Sequence, residues 1–485
     1  MRPLFFALFA GCSAGASDPE ATLDIKVDHN NKDDAVESIA PRGCFAAGHL
    51  YAVWQDDRDG TPGVWFNASV DAGATWMTAD VELSGDAGAY APDIACARDT
   101  VYVVWEDERD GDLLYRNIYA NVSTNGGRDW KVEAIPLDGD PDGDAMSLGP
   151  RLAVVEDAAY VAWFDNRDGA YDIYLQATPD QGESWLVAPT RVDSDTAGES
   201  YSAWPRLAAN ADRVVVAWED SRAGATDIYA NVSDPTGEAF GADARLDRGD
   251  EAGEHNSFVP SIAMVDDAVY VAWHDERNGE NRDVFLNVST DGASSWLDDP
   301  KRADSDAAGQ ADSINPQVAA IGDRVHVVWQ DDRAGGYDVM HRRSTDRGAS
   351  WAVGENRMDT DTAGESQSYD PVLSVRADNV LVGWQERRAD ANNVGFNDLY
   401  YNYSANAGAD WAAEDLRINS NAPGTAYAVD LSLLPAGDGL IAVWADGRFG
   451  SSDIFSANRV LGAESVYIEP EEDEDGKIDE YQAQE

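Results

Sequence analysis

Three groups of side chains could do chemistry by their type and spacing. Tyr201, Trp204 and Arg206 fall within one short segment. An indole and a phenol offer flat apolar faces for sugar rings, and a guanidinium beside them offers forked donors to a carboxylate. The competing reading of Trp204, a loop tryptophan, is an aromatic wedge between packed elements. Arg42, Arg151 and Arg206 each follow a proline directly. Brought together they form a cationic island that grips an anion; kept apart they neutralise local aspartates. Asp138, Asp140, Asp142 and Asp144 alternate with Gly139 and Gly143 as the oxygen ligands of a calcium loop do. A second acidic run, Glu471 to Asp479, has Gln482 where a bidentate glutamate belongs and reads as a solvated tail. No cofactor is expected, calcium in the Asp138 to Asp144 loop being the one weak candidate. No catalytic set is identifiable: there is no nucleophile elbow and no glycine-rich phosphate loop. The six histidines, at 29, 49, 255, 274, 326 and 341, lack metal-ligand spacing.

The three cysteines divide by position. Met1-Arg2, an apolar run from Pro3 to Ala10, and Ala10-Gly11-Cys12 resemble a bacterial export signal ending in a lipobox, which implies acylation of Cys12. The alternative is an ordinary signal cut near Ala14 or Ala16. Cys44 and Cys96 lie ten and nine residues before Trp54 and Trp105. That places both on the first strands of consecutive repeat units, and an oxidising compartment favours a Cys44–Cys96 disulfide. Two buried thiols acting as small apolar side chains are the alternative.

The scaffold for these residues is a repeat. Trp-x-Asp-x-Arg recurs at Trp54, Trp105, Trp163, Trp218, Trp273, Trp329, Trp384 and Trp444, at spacings of 51 to 60 residues, with Glu386 replacing the aspartate once. Each unit reads as a Pro-initiated segment, an alternating run ending in the motif, a second run, a Gly-containing hairpin and a short last segment. Period-2 alternation between turn signals predicts four antiparallel strands per unit, and radial repetition predicts an all-β, eight-bladed propeller. Unit eight lacks a fourth strand, and the segment from Leu23 to Asp28 resembles one. The N-terminal strand is therefore expected to close the last blade and remove an exposed edge. The domain reading is a signal over 1–11, a linker over 12–22, the propeller over 23–460 and an acidic tail over 461–485. The repeated Asp and Arg pairs, such as Asp107 with Arg109, are expected to hold their own turns. The apparent sequons at Asn67, Asn121, Asn231, Asn287 and Asn402 read as by-products of the repeat.

The 485 residues carry a net charge of −56, and only five of the 35 basic residues are lysine. Such a surface repels phosphate backbones, which excludes nucleic acid as a partner class, and it suits a solvated coat in a salty habitat. No stretch after the signal is apolar enough for a membrane helix. The expected form is a monomer that touches the membrane only through its N-terminal lipid, in the bacterial cell envelope or outside it.

The hairpins Ser69 to Trp76, Ser289 to Trp296 and Ser344 to Trp351 follow Ser-x-Asp-x-Gly-x-Ser/Thr-Trp with small shifts, and weaker copies begin at Ser123, Thr178, Ser233 and Ser404. They resemble the Asp-box, or BNR repeat, of the sialidase superfamily. The resemblance spans Leu23 to about Arg459 and implies a sialidase-like propeller of the kind found in bacterial lipoproteins. The Phe/Tyr-Arg-Ile-Pro element of sialidases is not matched: Ser38-Ile39-Ala40-Pro41 stands there without its arginine. The reading is a non-catalytic propeller that binds glycans or surface proteins. The alternatives are an exo-acting, sialidase-like glycoside hydrolase and a purely structural envelope protein. Functional residues are expected opposite the Asp-boxes, where positions break the repeat.

Overall fold

Each repeat unit folds as one sheet of four antiparallel strands, and eight such sheets make up the ring. The computed structural model describes residues 24–30, 36–109, 115–140, 145–388, 395–437 and 439–461, among which there is no helix. Cys12, Asp142, Asp144, the signal segment and the acidic tail lie outside the described residues.

The fifth blade shows why the sequence takes this form. Its strands are Ser257–Val265, Ala268–Asp275, Asp283–Ser289 and Lys301–Arg302. The second strand is buried along its whole length because both faces of the sheet are covered. Val269, Val271 and Trp273 pack into the core shared with blade four, beside Val215, Ala217 and Ile228. The alternate residues Ala268, Tyr270 and Ala272 pack against Val325, Val327 and Trp329 of blade six. Alternation here separates two interblade cores rather than a core from solvent, so the strand is apolar on both faces. All eight motif tryptophans are fully buried at 0% exposure. Cutting any one of them to alanine should cost about 3–5 kcal/mol.

The motif carboxylate ties this core to the turn that follows. Trp105 Nε1 donates to Asp107 Oδ2 at 2.7 Å, and Arg109 grips the same carboxylate at 2.8 and 2.6 Å while stacking 4.2 Å over Tyr119. Burial alone would raise such a carboxyl. At Asp275 and Asp331 the hydrogen bonds and charge of Arg277 and Arg333 outweigh it and hold the carboxyls below the usual range. In blade seven Glu386 still binds Trp384 Nε1 and Arg388, each at 2.7 Å. Its extra methylene carries the carboxylate away from Ser368, whose buried hydroxyl has no partner, whereas Ser313 reaches Asp331 at 2.8 Å. Trp65 takes the place that Tyr119 holds in blade two, pairing with Trp54 across the ladder under Arg58. It is therefore part of the repeat.

The hairpins on the far face are closed by their own side chains. Ser69 Oγ donates to Asp71 at 2.7 Å and accepts from Gly73 N at 2.8 Å, and Asp71 accepts from Thr75 N at 2.8 Å. The sequon asparagines are buried, and Asn67, Asn231, Asn287 and Asn402 stitch blades together. Asn287 Nδ2 donates to Leu246 O of the preceding blade at 2.8 Å, and Asn231 does the same to Val192 O at 2.9 Å. They are structural, and buried side chains of this kind are closed to glycosylation.

The ring closes as expected. Ile25–Lys26 pairs antiparallel with Phe455 and Ser456, making the chain's first strand the outermost strand of its last blade. Arg459 and Arg448 converge on Asp24 at 2.7 and 2.8 Å. Near the axis, Cys44 and Cys96 are joined as a disulfide with their Cα atoms 6.0 Å apart. The link connects the inner strands Ser38–Ala46 and Ala89–Ala97 of blades one and two.

A third feature repeats at the end of the fourth strand. Arg191 Nη2 meets Asp172, Asp193 and Asp195 at 2.9, 2.5 and 2.5 Å, and Arg302 and Arg357 gather equivalent trios. The guanidinium is itself the cation of each trio. Burial and carboxylate crowding push Asp193 and Asp304 to about 8 and Asp359 to about 9. These folded values lie above the unfolded one of 3.8, so the folded chain holds protons that the unfolded chain has released. Their contribution to stability is lost as pH rises through 8–9. The melting temperature is therefore expected to rise by several degrees from pH 9 to pH 6.5, and Asp304→Asn is expected to flatten the slope. Calorimetry across that range checks it; a flat or inverted profile contradicts the assignment.

Candidate functional site at the channel mouth

The inner strand of every blade carries the same irregularity. Pairing slips by one residue just before the proline position, as between Ala203 and Arg206 or Phe258 and Ser261. The bulged residue turns left-handed: Ala40, Ala91, Gly149, Trp204, Val259, Asn315, Asp370 and Asp430 have φ between 48° and 63°. A residue before proline is excluded from the right-handed region, and a bulge re-aims its side chain. Trp204 is thus not a loop residue, as its place outside the motif suggested. It sits in the strand Ser202–Ala209.

The bulge frees a backbone N–H from the ladder, and the preceding blade supplies its acceptor. Gly149 N donates to Glu106 Oε1 at 2.9 Å, Val259 N to Glu219 Oε1 at 2.8 Å and Asp370 N to Gln330 Oε1 at 3.0 Å. Asn315 N faces His274 Nδ1 at 3.4 Å, and burial, with Arg282 adding to it, pushes that imidazole down to about 4. All four acceptors are the second residue of Trp-x-Asp-x-Arg. That position reads Gln55, Glu106, Phe164, Glu219, His274, Gln330, Gln385 and Ala445 around the ring. It was the only freely varying place before the carboxylate, and its variation is the signal that sequence reasoning passed over.

Between blades three and four both partners are aromatic. Phe164 lies 5.1 Å from Trp204 and 5.1 Å from Tyr171, and Tyr171 lies 5.6 Å from Tyr201. Gly149 makes room, since a Cβ there would stand 2.7 Å from the Phe164 ring. Trp204 and Tyr201 remain 46% and 40% exposed, the outer surface of a four-ring platform. The Tyr201 hydroxyl is raised by burial and then by Glu219, against a hydrogen bond with Trp204 that lowers it. Burial raises the Glu219 carboxyl against the opposing hydrogen bond of Val259 and charge of Arg206. A second cluster adjoins in blade two: Arg116 pairs with Glu106 at 2.7 Å and with Glu108 at 3.3 Å and lies 3.9 Å over Tyr90.

One step further along the inner strands, after the proline or, in blade eight, after Leu431, stand Arg42, Asp93, Arg151, Arg206, Ser261, Gln317, Val372 and Ser432. The short ones stitch blades: Asp93 accepts from Leu152 N at 2.9 Å, Ser261 from Val318 N at 3.1 Å and Ser432 from Gly43 N at 3.1 Å. The three arginines bond instead to their own proline carbonyls, at 3.0 to 3.1 Å.

The Asp138 segment is placed differently. Asp138 is buried, its carboxyl raised to about 6 by burial, and it accepts from Ile118 N at 2.9 Å. Asp193 and Asp304 do the same for Ile173 N and Val284 N, each at 2.8 Å. Asp140 accepts from Ala145 N at 2.9 Å. Asp138 also accepts from Ser147 Oγ of blade three at 3.3 Å, so both described members are already engaged by hydrogen bonds.

No family model and no curated protein matches this chain. Solved structures of similar shape include a polysaccharide lyase, at 11% identity and a TM-score of 0.49, covering 79% of this chain and 92% of that one. The α-L-arabinofuranosidase of Fusarium graminearum matches at 12% identity and a TM-score of 0.39, covering 91% and 98%. The phage phi92 endosialidase matches at 10% identity and a TM-score of 0.41, covering 92% and 70%. Likeness at these values says nothing of substrate or mechanism. Substrate and mechanism have to be read from the channel mouth.

Proposed function

We propose that this chain is a non-catalytic glycan-binding propeller, exported and held at the cell envelope by a lipid on Cys12, with Asp-box hairpins closing its far face. The observation that carries the reading is the platform of Phe164, Tyr171, Tyr201 and Trp204, with two exposed faces at the one blade junction where the mouth positions are all aromatic. Aromatic faces backed by other rings are preorganised for the C–H faces of a sugar, and a shallow open site suits the end or side of a polysaccharide. Trp204→Ala is expected to weaken binding to any glycan that scores on an array by about tenfold or more, with the melting curve nearly unchanged. Unchanged affinity moves the site elsewhere.

A specific observation favours a second reading, a glycoside hydrolase. Glu219 is a buried carboxyl of raised pKa beside Tyr201, the state required of a general acid. A fluorogenic glycoside panel separates the two readings. Turnover that disappears in Glu219→Gln would establish the enzyme, whereas glycan binding without turnover supports the lectin-like role.

A further inference from the structure

We propose that the axial channel holds a small multiply charged oxyanion, of the phosphate or sulfate class, between the guanidiniums of Arg42, Arg151 and Arg206. The three side chains come from blades one, three and four, at one level of the inner strands. Elsewhere in the fold arginines are characteristically ion-paired, as Arg58, Arg191, Arg222 and Arg333 are, in a chain with 91 acidic residues. These three form no ion pair with any described residue, and each has only its own proline carbonyl as a hydrogen-bond acceptor.

They are also close enough to feel one another. Burial first, and then the charges of Arg151 and Arg42, bring Arg206 down to about 10, while Asp93 and Glu219 oppose this from a distance. The two carboxylates that oppose it are themselves in use. Asp93 is already engaged by Leu152 N and Glu219 by Val259 N. A tetrahedral dianion offers several acceptor oxygens, enough for forked donors arriving from three directions. The site lies below the aromatic platform and does not require it. Its occupation would link blade one to blades three and four, which it otherwise meets only through other blades.

The test is isothermal titration of the mature chain with inorganic phosphate and with sulfate, in chloride at matched ionic strength. One anion per chain is expected. Arg42→Gln, Arg151→Gln and Arg206→Gln should each weaken it about tenfold or more. Relief of like-charge repulsion should let Arg206→Gln melt no lower than the parent in chloride, so lost binding would not reflect lost folding. If that variant does melt lower, Arg206→Lys, which keeps the charge and loses the fork, makes the same comparison. Trp204→Ala is expected to leave anion affinity unchanged, which separates this site from glycan binding. Absence of binding at millimolar anion, or affinity retained in the triple Gln variant, overturns the proposal.

Discussion

Deleting residues 24–30 should destabilise the propeller by about 5 kcal/mol or more and make the chain prone to aggregation. The segment is short, but its removal breaks several buried interactions together. Val27 is fully buried in the core between the last and first blades, and its N–H donates to Ile454 O at 2.7 Å. Asp28 accepts from Ile454 N at 2.8 Å. Asp24 is the carboxylate on which Arg448 and the buried Arg459 converge. Removing the partner of a buried charge commonly costs about 3–5 kcal/mol by itself. The deletion also bares the strand Asp453–Val460 as a free edge, a template for pairing with other chains. Thermal melting with size-exclusion chromatography checks the result, and adding a peptide of residues 24–30 should restore part of the stability. A deletion variant that does not aggregate and melts within about 2 °C of the parent would show that the ring closes by other contacts.

The second large effect is expected from the Cys44–Cys96 link. Replacing both cysteines by alanine should cost about 3–4 kcal/mol in the chain-entropy picture, because the bridge spans 52 residues that the unfolded chain could otherwise spread apart. The loss falls between blades one and two, while the N-terminal strand secures blade one to blade eight. Blade one is thus held covalently on one side and by strand exchange on the other. Chemical denaturation should show a lower midpoint for the double variant and for the reduced parent alike, and little further loss when the variant is reduced. Thiol titration of the unfolded, unreduced chain should find no reactive sulfur from positions 44 and 96. Two thiols there would sink the claim.

Much of this architecture is determined by the sequence alone, because the features that determine it are local and repeated. Tryptophans at Trp54 through Trp444 recur with a period that only stacked units explain, and alternation around each shows the strands. The closing strand was legible too, since a unit without a fourth strand leaves an edge and Leu23 to Asp28 resembles the missing piece. The pairing of Asp107 with Arg109 followed from two residues held at fixed separation by one turn.

What only the tertiary structure decided is how non-local positions meet. Phe164 and Trp204 lie 40 residues apart and touch because a bulge in one blade faces the second strand of the blade before it. Arg42 and Arg206 are separated by two intervening blades, and the closure of the ring brings them within reach of each other's charge. Asp138 resembles a calcium ligand in its own segment, yet its carboxylate caps Ile118 N, a contact that exists only once the third strand lies alongside. Periodicity is a property of neighbours along the chain and can be read there. A site assembled across blade junctions depends on register, bulge and curvature, which cooperative packing of all eight sheets determines together.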